Sequence, residues 1–139
     1  FYLTSHLTKT TICKGKLDMI TTEEVEVISS DEKVKETKTQ VTYDYSDYVS
    51  DMYPISYYKD YIKNSNKFYK DINGVKASLK VKGNKVIYTV DIQYDSDYMK
   101  DLVEAGPVST NGSYKDIEYI SLQDTLKNQE NAGLTCKEK

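Results

Sequence analysis

A chain of 139 residues with a formal net charge of −3 is the size of one domain, large enough to bury a core unaided. Its mixed charge gives no general attraction to nucleic acid or anionic lipid. All 19 basic residues are lysine, so the planar guanidinium fork that reads guanine and phosphate bidentately is absent; a genome rich in A and T explains the same bias.

Hydrophobic residues make up 38% of the chain and charged residues 29%, but the apolar ones fall into periodic segments separated by turn signals, which marks a folded chain. No apolar run is long enough for a transmembrane helix or an intact signal peptide. The opening Phe1-Tyr2-Leu3, without a Met, reads as a cut behind a removed upstream segment. Residues 1–7 are then an anchor-proximal tail, and 8–139 a single domain.

Taken in order, Thr8 to Lys16 reads as a Thr-rich strand carrying Ile12 and Cys13. Glu23 to Ser29 sets Val25 and Val27 on one face, and Val34 to Tyr45 does the same with Thr37, Thr39, Val41, Tyr43 and Tyr45. Ser29-Ser30-Asp31-Glu32 supplies the turn between them, and the three strands suggest an antiparallel meander. A helix is expected within Asp47 to Ile72, with Ile55, Tyr58, Ile62, Tyr69 and Ile72 near helical spacing and Pro54 in its first turn; Tyr48, Val49 and Met52 form a short turn before it.

The clearest element follows. Val75, Ala77, Leu79 and Val81 alternate with polar residues, Gly83-Asn84 makes a two-residue turn, and the alternation resumes at Val86, Tyr88, Val90 and Ile92. That turn predicts Val81 opposite Val86, Leu79 opposite Tyr88, Ala77 opposite Val90 and Val75 opposite Ile92. Asp95-Ser96-Asp97 caps a short helix over Tyr98 to Glu104, ended by Gly106-Pro107. Ser109 to Ser113 is loop. Ser121 with Asp124 resembles a capping box opening a helix that stops at Gly133, and Leu134 to Lys137 is a terminal strand. The order βββ-α-ββ-α-α-β, with strands grouped rather than alternating with helices, predicts an α+β fold: an antiparallel sheet with helices on one face.

The two cysteines, Cys13 and Cys136, lie 123 positions apart, too few and too distant for a zinc site or a redox pair. Either they are unrelated buried thiols of a cytosolic protein, or they form a disulfide tying the first strand to the C-terminus. Their positions favour the bridge, which brings an oxidising compartment with it and sets an expected Cα separation of about 4.4 to 6.8 Å.

Thr10-Thr11-Ile12-Cys13, the strand ending Val41-Thr42-Tyr43-Asp44-Tyr45, and above all Asn131-Ala132-Gly133-Leu134-Thr135-Cys136-Lys137 resemble the YehR-like bacterial lipoproteins. They are equally similar to short membrane-anchored extracellular proteins of Firmicutes, in which a Gly-aromatic-Thr-Cys-Lys ending is common; Leu134 stands at the aromatic position here. The resemblance implies a helix-on-sheet fold and an N-terminal anchor, and no activity. A lipidated Cys would have to precede Cys13, and none does, so a transmembrane anchor before Phe1 is expected.

Candidate chemistry is sparse. The single histidine, His6, sits in the anchor-proximal tail, where no nucleophile accompanies it. An EF-hand loop started at Asp95 would need glycine where Lys100 stands and glutamate where Gly106 stands, so helix capping accounts for those carboxylates and no metal or cofactor is expected. Functional colour comes from Tyr43, Tyr45, Tyr48, Tyr53, Tyr57, Tyr58 and Tyr61, interleaved with Asp44, Asp47, Asp51 and Asp60. Tyr58 belongs with the core-facing set, while Tyr57 and Tyr61, four apart, make a second stripe: a ligand-binding face. Tyr standing in for Leu or Phe on a half-buried helix explains the same residues. The expectation is a non-enzymatic extracytoplasmic domain at the bacterial surface, membrane-anchored upstream and binding a protein or envelope ligand. The alternative is a hydrolase acting on cell-envelope components through paired carboxylates.

Overall fold

The structure, a computed structural model, describes residues 7–139. The Thr-rich, alternating first third folds into β1 (Lys9–Lys16), β2 (Thr21–Ser30) and β3 (Lys33–Asp44), the expected antiparallel meander. The hairpin is β4 (Val75–Lys82) and β5 (Lys85–Gln93), with all four predicted pairs in register and Gly83 at φ +62°, the left-handed conformation that its turn demands. With β6 (Ile120–Ser121) and β7 (Thr135–Glu138) the strands make one seven-stranded sheet in the order β4-β5-β3-β2-β1-β7, β6 pairing β3 to one side.

Register decides which residues are covered. Val25, Thr39 and Val90 stand in one row across the sheet, as do Val27, Thr37 and Ile92, and this side carries the buried residues. On it lie α1 (Ile55–Ser65), α2 (Met99–Ala105) and α3 (Leu122–Asn131). Two adjoining cores result. The larger joins Val86, Tyr88, Val90 and Ile92 of β5 to Ile62 of α1 and to Met99 and Leu102 of α2; the smaller joins Cys13, Val25, Val27 and Val34 to Leu122 and Leu134. Leu102, with no exposed surface, contributes about 1.5 to 3 kcal/mol by burial alone. The opposite side of the sheet is largely polar, Ile87 being a buried exception, and no helix among the described residues packs on it. The α+β class and the order of elements are those expected from the sequence.

The first helix and a short added strand differ from expectation. The first helix is shorter than Asp47 to Ile72, beginning after the extended Pro54 and ending at Asn66. Ser65 and Asn66 end it by turning their side chains back onto the carbonyls of Tyr61 and Ile62 (2.9 and 2.8 Å), the competition that makes Ser and Asn poor helix formers. The short turn expected at Tyr48, Val49 and Met52 is present before it, with the Tyr48 and Val49 amides donating to the Tyr45 carbonyl. β6 is too short to show any alternation; it exists because Ile120 and Ser121 pair with Val34 and Lys33. Ser121 does cap α3, its hydroxyl accepting from the Asp124 amide at 3.2 Å, and Gly133 turns the chain out at φ +102°.

Cys13 and Cys136 are bonded, and β7 lies beside β1 with the two cysteines directly opposite each other. Their Cα atoms are 3.9 Å apart, closer than expected, because facing residues of an antiparallel ladder come nearest at such positions. The bridge indicates a compartment outside the cytoplasm. Among the described residues, no helix is long and apolar enough to cross a membrane.

Candidate functional site

Tyr45, the first residue beyond β3, starts the tyrosine cluster. Its amide donates to the Asn84 carbonyl, fixing it to the β4–β5 turn, and its ring is buried against α1, stacked on Tyr58 with centroids 4.2 Å apart and planes 17° from parallel. The Tyr58 hydroxyl donates to the Tyr48 carbonyl at 3.0 Å, so one side chain holds both the core and the preceding turn. Tyr57 then meets Tyr58 edge-on at 5.2 Å, and Tyr53 packs against Tyr57 at 5.1 Å, geometries that suit the ring quadrupoles. The Tyr53 amide donates to the Ser50 hydroxyl at 3.0 Å, which fixes the turn that presents it.

The outcome is a buried aromatic pair carrying an exposed aromatic surface. Tyr57 and Tyr61 are 51% and 61% exposed, and Tyr48, Met52 and Tyr53 are exposed beside them in the chain. Tyr61 also stands near Tyr43 and Tyr45 of the sheet end. Burial first, then the charges of Glu23 and Asp18, holds the Tyr43 hydroxyl above its ordinary pKa. Asp44 is used locally, accepting from the amide and hydroxyl of Ser46, which depresses its carboxyl. Asp47, Asp51 and Asp60 are exposed and lend the face a negative rim. The core-facing role read for Tyr58 and the second stripe at Tyr57 and Tyr61 are therefore where helical spacing sets them.

His6 lies outside the described residues. Among the described residues no cluster of His, Cys, Asp or Glu is disposed to hold a metal ion. One carboxyl pair escapes sequence reading, because it joins residues of different strands diagonally across β3 and β5. On the bare side of the sheet the Asp91 carboxyl can accept a hydrogen bond only from protonated Glu36, and this, with burial and the Asp91 charge, raises the Glu36 pKa. Asp91 Oδ1 is buried with no hydrogen-bond partner. The pair adjoins a shallow hollow of about 400 Å³ lined by Glu24, Glu26, Lys38, Lys76, Ser78 and Asp91 among others.

Comparison with solved structures gives the fold an outside reference. The chain is similar to the NMR structure of the YehR protein of E. coli, with a TM-score of 0.59 and 14% identity over 94% of this chain and 91% of that one. It is also similar to the NMR structure of a protein from Streptococcus pneumoniae TIGR4, with a TM-score of 0.53 and 13% identity over 94% and 84%. At this identity the likeness is one of fold. No protein-family model and no curated protein matches the sequence.

Proposed function

We propose that this chain is a non-enzymatic binding module that works outside the cytoplasm, tethered on its N-terminal side to the bacterial surface, and that its tyrosine face engages a protein partner. The observation that carries the proposal is the joint exposure of Tyr57 and Tyr61 on a helix pinned by the Tyr45–Tyr58 stack. An unfilled core position would have turned them inward. Tyr supplies large contact area with few rotatable bonds and concentrates at protein interfaces, and the acidic rim suits a partner with basic residues around its contact. The disulfide supports the setting outside the cytoplasm. The test is binding of the purified domain to envelope fractions, with Tyr57→Ala/Tyr61→Ala as the variant. Loss of at least tenfold in binding, with an unchanged circular dichroism spectrum, is expected. Equal binding by the variant refutes this face.

A second function, hydrolysis of envelope polymers, is favoured by the Glu36–Asp91 pair alone, since a carboxyl with a raised pKa can act as a general acid. Lys38 and Lys76 stand directly across from Asp91 on the neighbouring strands, however, so the charges alternate as in an ordinary solvated sheet surface. Turnover of cell-wall glycan by the wild type, abolished in Glu36→Gln, would establish the hydrolase in place of the module.

A further inference from the structure

A second surface lies on the other flank of α1. Between α1, the 3-10 turn at Lys67–Tyr69 and the outer edge of β4 runs a groove of about 770 Å³, within the size range of ligand sites. Its lining takes residues of β4 from both sides of the sheet, so the groove follows the strand's free edge rather than either face. Val75, Leu79, Tyr69 and Tyr88 give it an apolar floor. Lys59, Lys63, Lys67, Lys70 and Lys76 surround it, against one carboxylate, Asp71. Among the described residues the ion pairs within 4 Å are those of Lys9 with Glu32 and Glu138, so none of these five ammonium groups is paired.

The backbone of that edge is also free. In a hairpin closed at Lys82–Lys85, alternate pairs exchange the ladder bonds: Lys80 with Ile87, Ser78 with Thr89 and Lys76 with Asp91. The bond from the Gln93 amide to the Gly74 carbonyl continues the same parity. The amides and carbonyls of Ala77, Leu79 and Val81 therefore point away from β5, toward the groove side. Such an edge is a template for an added strand. A second copy of the chain is a poor occupant, since antiparallel β4–β4 pairing centred on Leu79 would set Lys76 of each copy against Lys82 of the other. The same lysines are complementary to an acidic strand.

We infer that the β4 edge and its lysine-walled groove bind an extended, acidic segment of a partner protein by strand addition. Backbone bonds to Ala77, Leu79 and Val81 would give register. Apolar side chains of the segment would seat on Leu79 and Tyr69, and its carboxylates would meet Lys59, Lys63 and Lys67 on one side and Lys76 on the other. This site is separate from the tyrosine face and does not depend on it.

The experiment uses the whole domain with a synthetic peptide alternating Glu and Val. Its controls are the same peptide N-methylated at every second residue, the Lys/Val counterpart, and polyphosphate. Expected are amide shift changes centred on Ala77 to Val81 and binding that weakens with salt. Affinity should fall at least tenfold on N-methylation or in Lys63→Glu/Lys67→Glu/Lys76→Glu, and stay unchanged in Tyr57→Ala/Tyr61→Ala. No binding of the acidic peptide, or binding indifferent to N-methylation, overturns strand addition. Polyphosphate binding as tight as the peptide's would make the groove a general polyanion site and overturn the proposal equally.

Discussion

Replacing both cysteines, as Cys13→Ala/Cys136→Ala, removes a cross-link between residues 123 apart in sequence. The chain-entropy relation gives a ceiling of about 5 kcal/mol for a loop of that length, and native bridges in small extracellular domains are worth about 2 to 5 kcal/mol when removed. Little packing is lost with them: Cys13 is buried, but a methyl group fills much of its place, and Cys136 is only half-buried. A loss of 2 to 5 kcal/mol, at a urea slope of about 2 kcal/mol per molar, lowers the unfolding midpoint by about 1 to 2.5 M. The structure also says where the loss is felt first. β7 touches the sheet through register pairs with β1 alone, from Thr11–Glu138 to Lys14–Thr135, helped by an exposed ion pair between Lys9 and Glu138 that is worth little. Without the bridge β7 should fray, so amide exchange at Thr135 to Glu138 should rise well beyond that in the β4–β5 hairpin, which belongs to the other core. A midpoint shift under about 0.5 M, or β7 amides as protected as in the bridged protein, would refute the role given to the bridge.

Leu102→Ala, at a fully buried position of α2, should destabilise by about 2 to 5 kcal/mol in the same urea assay, whereas Leu79→Ala at the half-buried sheet edge should cost much less. Gly74→Ala should be the more damaging of two turn substitutions: at φ +89° its Cβ would lie 2.8 Å from the Tyr98 ring, while Gly83, at φ +62°, has open space and should cost about 1 kcal/mol. Burial pushes the Tyr88 hydroxyl up to about 12, with the Tyr43 and Tyr69 hydroxyls adding to it. Its folded form thus holds the proton longer than the unfolded chain does; the stability it confers is intact below pH 10 and is lost as the pH rises from 10 toward 12. Thermal midpoints across that window should fall, and Tyr88→Phe should flatten the fall.

The hairpin was legible to the residue because a two-residue turn leaves one register in which every apolar pair shares a side, and slipping it would turn a whole strand outward. The first helix was legible in its face but not its length. Ile55, Tyr58 and Ile62 mark the stripe, yet the spacing runs on through Tyr69 and Ile72, which reach the core from a 3-10 turn and a loop. Only the backbone-seeking side chains of Ser65 and Asn66 signal the break. The Glu36–Asp91 pair and the groove along β4 were out of reach for another reason. Both depend on β5, not β4, lying next to β3, and that order is set by the connection through α1 rather than by any local pattern.

The placement of two surfaces follows from helix geometry once the core stripe is known. At about 100° per residue, Tyr57 and Tyr61 lie about 110° to one side of the stripe through Ile55, Tyr58 and Ile62, and Lys59 and Lys63 about 90° to the other. Each pair is four apart and so forms a coherent line. Packing that stripe over β5 therefore sends the tyrosines toward the β3 end, where Tyr43 and Tyr45 extend them, and sends the lysines to the free edge of β4, where Lys76 joins them. A helix that served only to cover the sheet would need no such division of its flanks. The division makes the two sites separately removable, so the tyrosine and lysine variants should fail in different assays while sharing one fold.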